Sequence, residues 1–159
     1  MGQNGANLII LDPAQRVLVV RHNYGNKLFG LPGGKIEPDE EPADTAIRET
    51  HEETHLIIEP NHIELLAQCT QRNKSVVNLY RTDRFEGDLV EEPTDEISLA
   101  QFMSFEEIIC RKEEFGTGYL RMIIMHMRCV LGLACPVIEA LLYEPIEVPA
   151  ESPNVLVRI

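Results

Sequence analysis

Basic residues are scarce in this chain. Fourteen Lys and Arg stand against 26 Asp and Glu, a net charge of −12. A sequence-independent grip on DNA or RNA needs clustered cations, so no nucleic-acid polymer is expected as a partner. A small phosphorylated substrate stays compatible with this charge if metal ions mask the carboxylates. Long apolar runs are missing too. The longest, Met122 to Ile138, is broken by His126, Arg128 and Pro136. It falls short of the ~20 apolar residues of a membrane span, so no membrane is expected. The start has no basic segment and no cleavage-site pattern, which argues against a secretory leader. The four cysteines (Cys69, Cys110, Cys129, Cys135) form no C-x-x-C pair. In apolar surroundings they read as buried thiols of a reducing, cytoplasmic compartment.

What remains is an ordinary globular composition. The chain has 159 residues, 44% of them hydrophobic, enough for one domain with a proper core. Two short apolar runs, 7–11 and 17–20, flank Asp12-Pro13 and predict a hairpin. A third strand is expected at 27–31, running into Pro32-Gly33-Gly34. Residues 42–54 predict a helix. Pro42 suits its first turn, and Ala43, Ala46, Ile47, Thr50 and Thr54 share one face. Strands are expected at 63–69, 75–81 and 97–103, and helices at 105–113 and 118–132. Strands interleaved with helices predict an α/β fold, a mixed sheet covered by helices. Residues 1–143 form the single domain. Residues 144–159 carry three prolines and predict an extended tail ending in apolar Val155-Leu156-Val157. Such a tail suits docking on a sheet or on a second subunit, a homodimer.

Residues 51–55 spell HEETH, which fits H-E-x-x-H, the zinc-peptidase signature. The helix carries a second candidate face. At about 100° per residue, with Glu49 at zero, Glu52 lies near −60° and Glu53 near +40°. Three carboxylates that close repel unless a cation sits among them. The apolar positions centre near +115°, and His51 and His55 point at roughly 200° and 240°. One face is all oxygen and suits Mg²⁺ or Mn²⁺. The other is imidazole and suits Zn²⁺.

The flanking residues favour the oxygen face. In GKIEPDEEPADTAIRETHEETHL, Gly34, Glu40, Arg48, Glu49, Glu52 and Glu53 match every charged or glycine position but the last of G-x5-E-x7-R-E-U-x-E-E-x-G-U. This stretch resembles the box of the Nudix hydrolases, MutT-like members in particular. A random H-E-x-x-H arises in roughly two chains in a hundred, whereas six matched box positions arise in about one in ten thousand. Two positions depart. Thr50 stands where an aliphatic residue is usual, and His55 stands where the box has its last glycine.

The resemblance implies a Nudix-type α/β/α sandwich with a mixed sheet and metal-dependent hydrolysis of a nucleoside diphosphate linked to another group. It implies that Glu49, Glu52 and Glu53 hold Mg²⁺ or Mn²⁺ with the Gly33 carbonyl, while Arg48 orients Glu52 and Glu40 holds the loop to the helix. Glu52 is the first candidate for the general base, with Glu96, Glu91 and Glu92 as loop candidates. Gln101 occupies a place where MutT-like members can carry a ligating glutamate. Arg21 and Lys27 could contact phosphates, and Tyr24 and Phe29 could stack on a base, although packing suits both rings too. Met122, Met125 and Met127 fit a helix core. No proline lies between Asn61 and Glu92 and no tyrosine between Ile57 and Leu79. The marks of ADP-ribose and diadenosine-polyphosphate members are thus absent. A (deoxy)nucleoside triphosphate pyrophosphohydrolase remains by elimination. A non-catalytic nucleotide-binding Nudix domain and a zinc peptidase are the alternatives.

Overall fold

The computed structural model describes residues 2–71, 73–90 and 92–131, and side chains through residue 128. The expected tail and Cys135 lie outside these residues, as does the side chain of Cys129. The described residues form seven strands and three α-helices: β1 (Gly5–Ile10), β2 (Val17–His22), β3 (Phe29–Gly30), β4 (Gly33–Lys35), α1 (Pro42–Thr54), β5 (Glu64–Thr70), β6 (Val76–Thr82), β7 (Ile97–Met103), α2 (Phe105–Cys110) and α3 (Thr117–Leu131). Short 3-10 turns stand at Pro60–His62 and Lys112–Glu114. The strands form two sheets. One is mixed, in the order β4-β1-β6-β5, with β1 and β6 parallel. The other is antiparallel, in the order β3-β2-β7.

β1 explains the layering. Successive side chains of a strand point to opposite faces. Ala6, Leu8 and Ile10 join Ala46 of α1 and Leu56 in one core. Ile9 and Leu11 join Leu120, Ile123 and Ile124 of α3 in the other. A strand buried on both faces reads as an unbroken apolar run, which is what residues 8–11 are. The sheets therefore lie between α1 and α3, the expected α/β/α arrangement. Among the described residues no helix is long and apolar enough to cross a membrane.

Three local expectations are corrected. Residues 7–11 and 17–20 do not form a hairpin ladder. Asp12 accepts from the Arg16 backbone N–H and side chain, and reverses the chain. Beyond the single bridge Leu11–Val17 the strands part into separate sheets. The turn chemistry specifies the reversal, but two strands apolar on both faces each take partners elsewhere. The helix expected at 105–113 stops at Cys110, because Arg111 leaves helical geometry and a 3-10 turn follows. Cys110 falls on the solvent side of that last turn and is exposed, whereas Cys69 is buried. The third strand, expected at 27–31, is only Phe29–Gly30, and Gly33–Lys35 after it forms a separate strand paired with Gly5–Asn7.

α1 has the predicted bounds. Its first turn has no side-chain cap. Instead the Glu40 carboxylate accepts from the Thr45 hydroxyl and from Arg48. Thr50, in place of the usual aliphatic residue, is fully buried and donates its hydroxyl to the Ala46 carbonyl. His55 ends the helix in the left-handed region at φ 63, its N–H on the His51 carbonyl. Glycine adopts that conformation without steric cost. His55→Gly is therefore expected to raise stability by about 0.5 kcal/mol, measured by chemical denaturation. A loss of stability would show that the imidazole contributes more than the strain.

His126 of α3 is fully buried, and neither ring nitrogen has a partner among the described residues. Burial, and then the charge of Arg81, hold its pKa down from 6.5 to about 4. The unfolded chain therefore binds a proton in that interval that the folded chain refuses, and stability is lost as pH falls from 6.5 towards 4. At 1.36 kcal/mol per pH unit the full contribution is about 3 kcal/mol. His126→Leu should flatten the stability–pH curve across this window. Parallel curves for the two proteins would refute the assignment.

Candidate active site

The site grows from two glycines. Gly33, at φ 139, pairs with Asn7 and directs its N–H to the Glu53 carboxylate at 3.1 Å. A Cβ at Gly33 would strike the Ala6 carbonyl, and one at Gly34 would strike the Glu49 carboxylate. The pair therefore lets β4 lie against β1 while two helix carboxylates close on its backbone. Glu96 arrives from the loop before β7. That loop is tied to the β2–β3 connection: the Asn23 N–H donates to the Glu96 carbonyl at 2.7 Å and its side chain to the Thr94 carbonyl at 2.8 Å. The outcome is one carboxylate oxygen each from Glu49, Glu53 and Glu96, all within 4.8 Å of one another.

Such a cluster is electrostatically costly. Glu53 is 3% exposed, and its hydrogen-bond partner is a neutral amide. Burial pushes its carboxyl well above the usual carboxylate range. The Gly33 N–H opposes that, and the charges of Glu49, Glu96 and Glu52 add to it. Burial also raises Glu49, with Arg48 pulling the other way. A cation held by three oxygens relieves both the burial and the mutual repulsion. All-oxygen donors on a helix, with the third on a loop, fit Mg²⁺ or Mn²⁺.

The other expected site residues are placed as follows. Glu52 lies outside the trio, with its side chain 56% exposed, and pairs with Arg48 at 3.1 Å. The Arg48 guanidinium also reaches Glu49 at 3.0 Å and Glu40 at 2.8 Å, so one cation organises three box carboxylates. Glu40 is held down at about 2 by Arg48 first and the Thr45 hydroxyl second. Arg21 is not brought to the cluster. It pairs with Glu114 at 2.6 Å and lies 4.3 Å over the Phe29 ring. Lys27 sits in the β2–β3 turn at φ 53 and lines neither cleft described below. Phe29 is fully buried against Phe115, so it is a core ring and not a stacking platform. Met122, Met125 and Met127 are core side chains. Gln101 is paired in β7 with Val19. Glu92 is not in the cluster and Glu91 is not described. His51 and His55 lie with ring centroids 6.3 Å apart, and His51 Nδ1 is 3.3 Å from the Leu56 carbonyl oxygen. Among the described residues no third ligand joins them.

The trio lines one of two adjoining clefts. One, of about 420 Å³, holds Glu49, Glu53 and Glu96 together with Asp95, Asn23 and Tyr24. The next, of about 390 Å³, is lined by Asn7, Gln71, Tyr119 and Met122 among others. Tyr24, Gly33, Gly34 and Lys35 border both. Lys35 and Asn7 were not singled out from the sequence. Lys35 follows the two glycines directly, and Asn7 interrupts an apolar strand, which was the available signal.

Comparison with known proteins agrees with this geometry. A family model described as NUDIX domain matches residues 1–123. Over 52 residues the chain is 44% identical to a CMP-5'-(N-acetyl-N-hydroxy-3-aminopropyl)phosphonate hydrolase of Streptomyces rubellomurinus, 31% of this chain and 25% of that protein. Over 54 residues it is 39% identical to a protein of Bacillus subtilis named "Putative 8-oxo-dGTP diphosphatase", 34% of this chain and 36% of that one. The matched stretches thus span about a quarter to a third of these relatives. The fold is similar to the crystal structure of a MutT NUDIX hydrolase from Burkholderia pseudomallei. The TM-score is 0.58 at 21% identity, over 66% of this chain and 84% of that one. With the family model spanning most of its length, the chain belongs to the Nudix family.

Proposed function

We propose that this protein is a divalent-metal-dependent pyrophosphohydrolase acting on a (deoxy)nucleoside triphosphate. The observation that carries the reading is the cluster of Glu49, Glu53 and Glu96 on the wall of a cleft that adjoins a second one. A buried carboxylate with one neutral partner is a cost that a structural role does not require. Glu49, Glu53 and Glu96 would hold Mg²⁺ or Mn²⁺. When bound, the ions offset the charge of the phosphates and make a water more acidic.

The chain's own groups do the rest. Lys35, at the border of both clefts, receives the phosphates. Asn7, Gln71 and Tyr119 line the side where the nucleoside fits. The Asn7 amide donates to the Leu31 and Pro32 carbonyls and so fixes that wall, and Gln71, whose Oε1 accepts from the Ser75 hydroxyl, offers its amide N–H groups to a base edge. Glu52 accepts the proton of the attacking water. It is open to solvent, and Arg48 holds it beside Glu49 through one shared guanidinium. Water attacks a phosphorus of the anhydride, and the products are a nucleoside monophosphate and pyrophosphate. The two relatives that act on nucleotides by name support a nucleotide substrate, and the missing proline and tyrosine marks support a triphosphate.

Two experiments test this. A panel of nucleotides with Mg²⁺ or Mn²⁺, read for phosphate and pyrophosphate, should give pyrophosphate from a nucleoside triphosphate and nothing when the metal is chelated. Zinc-supported peptidase activity instead would sink the reading. The second separates the glutamates. Glu53→Gln should lose both turnover and the metal-induced rise in melting temperature. Glu52→Gln should keep that rise and lose about 10²–10⁴-fold in kcat, the usual worth of a positioned acid–base group. His51→Ala and His55→Ala should stay within a few-fold. Inactive histidine variants beside an active Glu53→Gln would return the chemistry to the imidazole face.

A further inference from the structure

His22 closes β2, at the point where its pairing with β7 slips register. It is nearly sealed, at 5% exposure, and neither Nδ1 nor Nε2 has a hydrogen-bond partner among the described residues. A neutral imidazole carries one donor and one acceptor, and burying both unpaired costs stability. What surrounds the ring does not require nitrogen. Tyr24 lies on one side with centroids 4.9 Å apart, and Tyr119 lies 5.9 Å away. Gly30 packs so closely that a Cβ there would run into His22 Nε2 and the Tyr119 ring. A phenylalanine would fill this stack without orphaned atoms. The imidazole is therefore unexplained by packing, and an unsatisfied buried group calls for a role.

Its cover points to one. Tyr24 is 61% exposed, the most open large apolar or aromatic side chain among the described residues. It stands in the short β2–β3 connection beside Gly25, which has φ 60 and open space around it. Tyr24 borders the carboxylate cleft and the cleft of Asn7 and Tyr119 alike. Turning this one ring aside would open the His22 imidazole onto the junction of the two clefts. The exposed face of Tyr119 would then flank the same opening.

We propose that His22 is a specificity-determining residue for the nucleobase: Tyr24 covers it in the free protein, and the bound base displaces Tyr24 and hydrogen-bonds to the imidazole. The inference rests on the nucleotide reading above and adds where the base is read. The Tyr119 ring supplies an aromatic flank for the base. The imidazole supplies a polar partner that rejects a base lacking the matching edge, since the site would then stay unpaired.

The test uses the full chain, labelled with ¹⁵N-histidine, and the four non-hydrolysable α,β-methylene deoxynucleoside triphosphates with Mg²⁺. For the analogue that binds tightest by calorimetry, one His22 ring nitrogen should shift in the NMR spectrum as a hydrogen bond forms. In parallel, His22→Phe should melt at the same temperature or higher. Its KM for the preferred nucleotide should rise about tenfold, and its preference among the four bases should flatten. His22→Gln, which restores a donor and an acceptor, should recover part of that preference. A merely structural role would move the melting temperature and leave the preference intact. Tight binding with unmoved His22 resonances, or a His22→Phe enzyme with native base preference, would overturn the inference while leaving the nucleotide reading standing. If neither these four analogues nor their ribonucleoside counterparts bind, the nucleotide reading itself falls and takes this inference with it.

Discussion

The hydrogen bond from the Gly33 N–H to the Glu53 carboxylate is the joint on which the site turns. It fastens the last turn of α1 to β4, and β4 is fastened in turn to β1, the strand that borders both cores. An ionised carboxylate in that position has lost most of its water. One amide does not replace it, and Glu49 and Glu96 bring further negative charge within 4.8 Å. The fold thus holds a charge defect in a fixed place. Everything that positions it is covalently or sterically rigid: the two glycines, the helix and the strand pairing.

Around this joint the charges divide into settled and unsettled. Arg48 settles Glu40 and Glu52 and reaches the edge of Glu49. Glu40 then ties the loop to the start of α1 through the Thr45 hydroxyl, a role that a side-chain helix cap would otherwise fill. Among the described residues no such cation pairs with Glu53 or Glu96. The contrast separates glutamates tied to Arg48 from glutamates left without a counter-charge. It follows from geometry, since all but Glu96 are supplied by one 14-residue stretch.

Much of this was legible in the helical period. The predicted bounds of α1 and β7 are those observed. With the apolar face centred near +115°, Glu53 at +40° stands closest to the core, Glu49 at 0° next and Glu52 at −60° furthest. Their burial follows that order: Glu53 at 3%, then side-chain exposures of 14% for Glu49 and 56% for Glu52. Treating the three as one equivalent face missed what the same angles contained. Glu96 was legible only as one loop candidate among three. A loop residue has no period to place it, and its position depends on Asn23, 73 residues earlier in the chain. The hairpin between β1 and β2 failed for a related reason: a turn motif acts locally, whereas strand partners are chosen by what remains unpaired after collapse. Arg21 shows the limit for single charges. Proximity to the box in sequence suggested phosphate, but the Phe29 ring and Glu114 claim it in space.

The scarcity of cations, evident from composition alone, acquires a location in the fold. Arg16, Arg21, Arg48, Arg81 and Arg111 are each engaged with a carboxylate. The metal-side cleft has four carboxylates, Glu49, Glu53, Asp95 and Glu96, and one lysine, Lys35, on its walls. A polyphosphate entering alone would meet a wall of its own sign in a space that water only partly screens. Divalent ions reverse that balance, because two or three of them carry enough charge to offset the four carboxylates. On the proposed reading the protein commits almost none of its own positive charge to the phosphates. Recognition of the rest of the substrate then falls, on the same reading, to neutral groups of the adjoining cleft, the Gln71 amide and the Tyr119 ring. Those groups are gathered on the far side of Gly33, one cleft away from the repulsion.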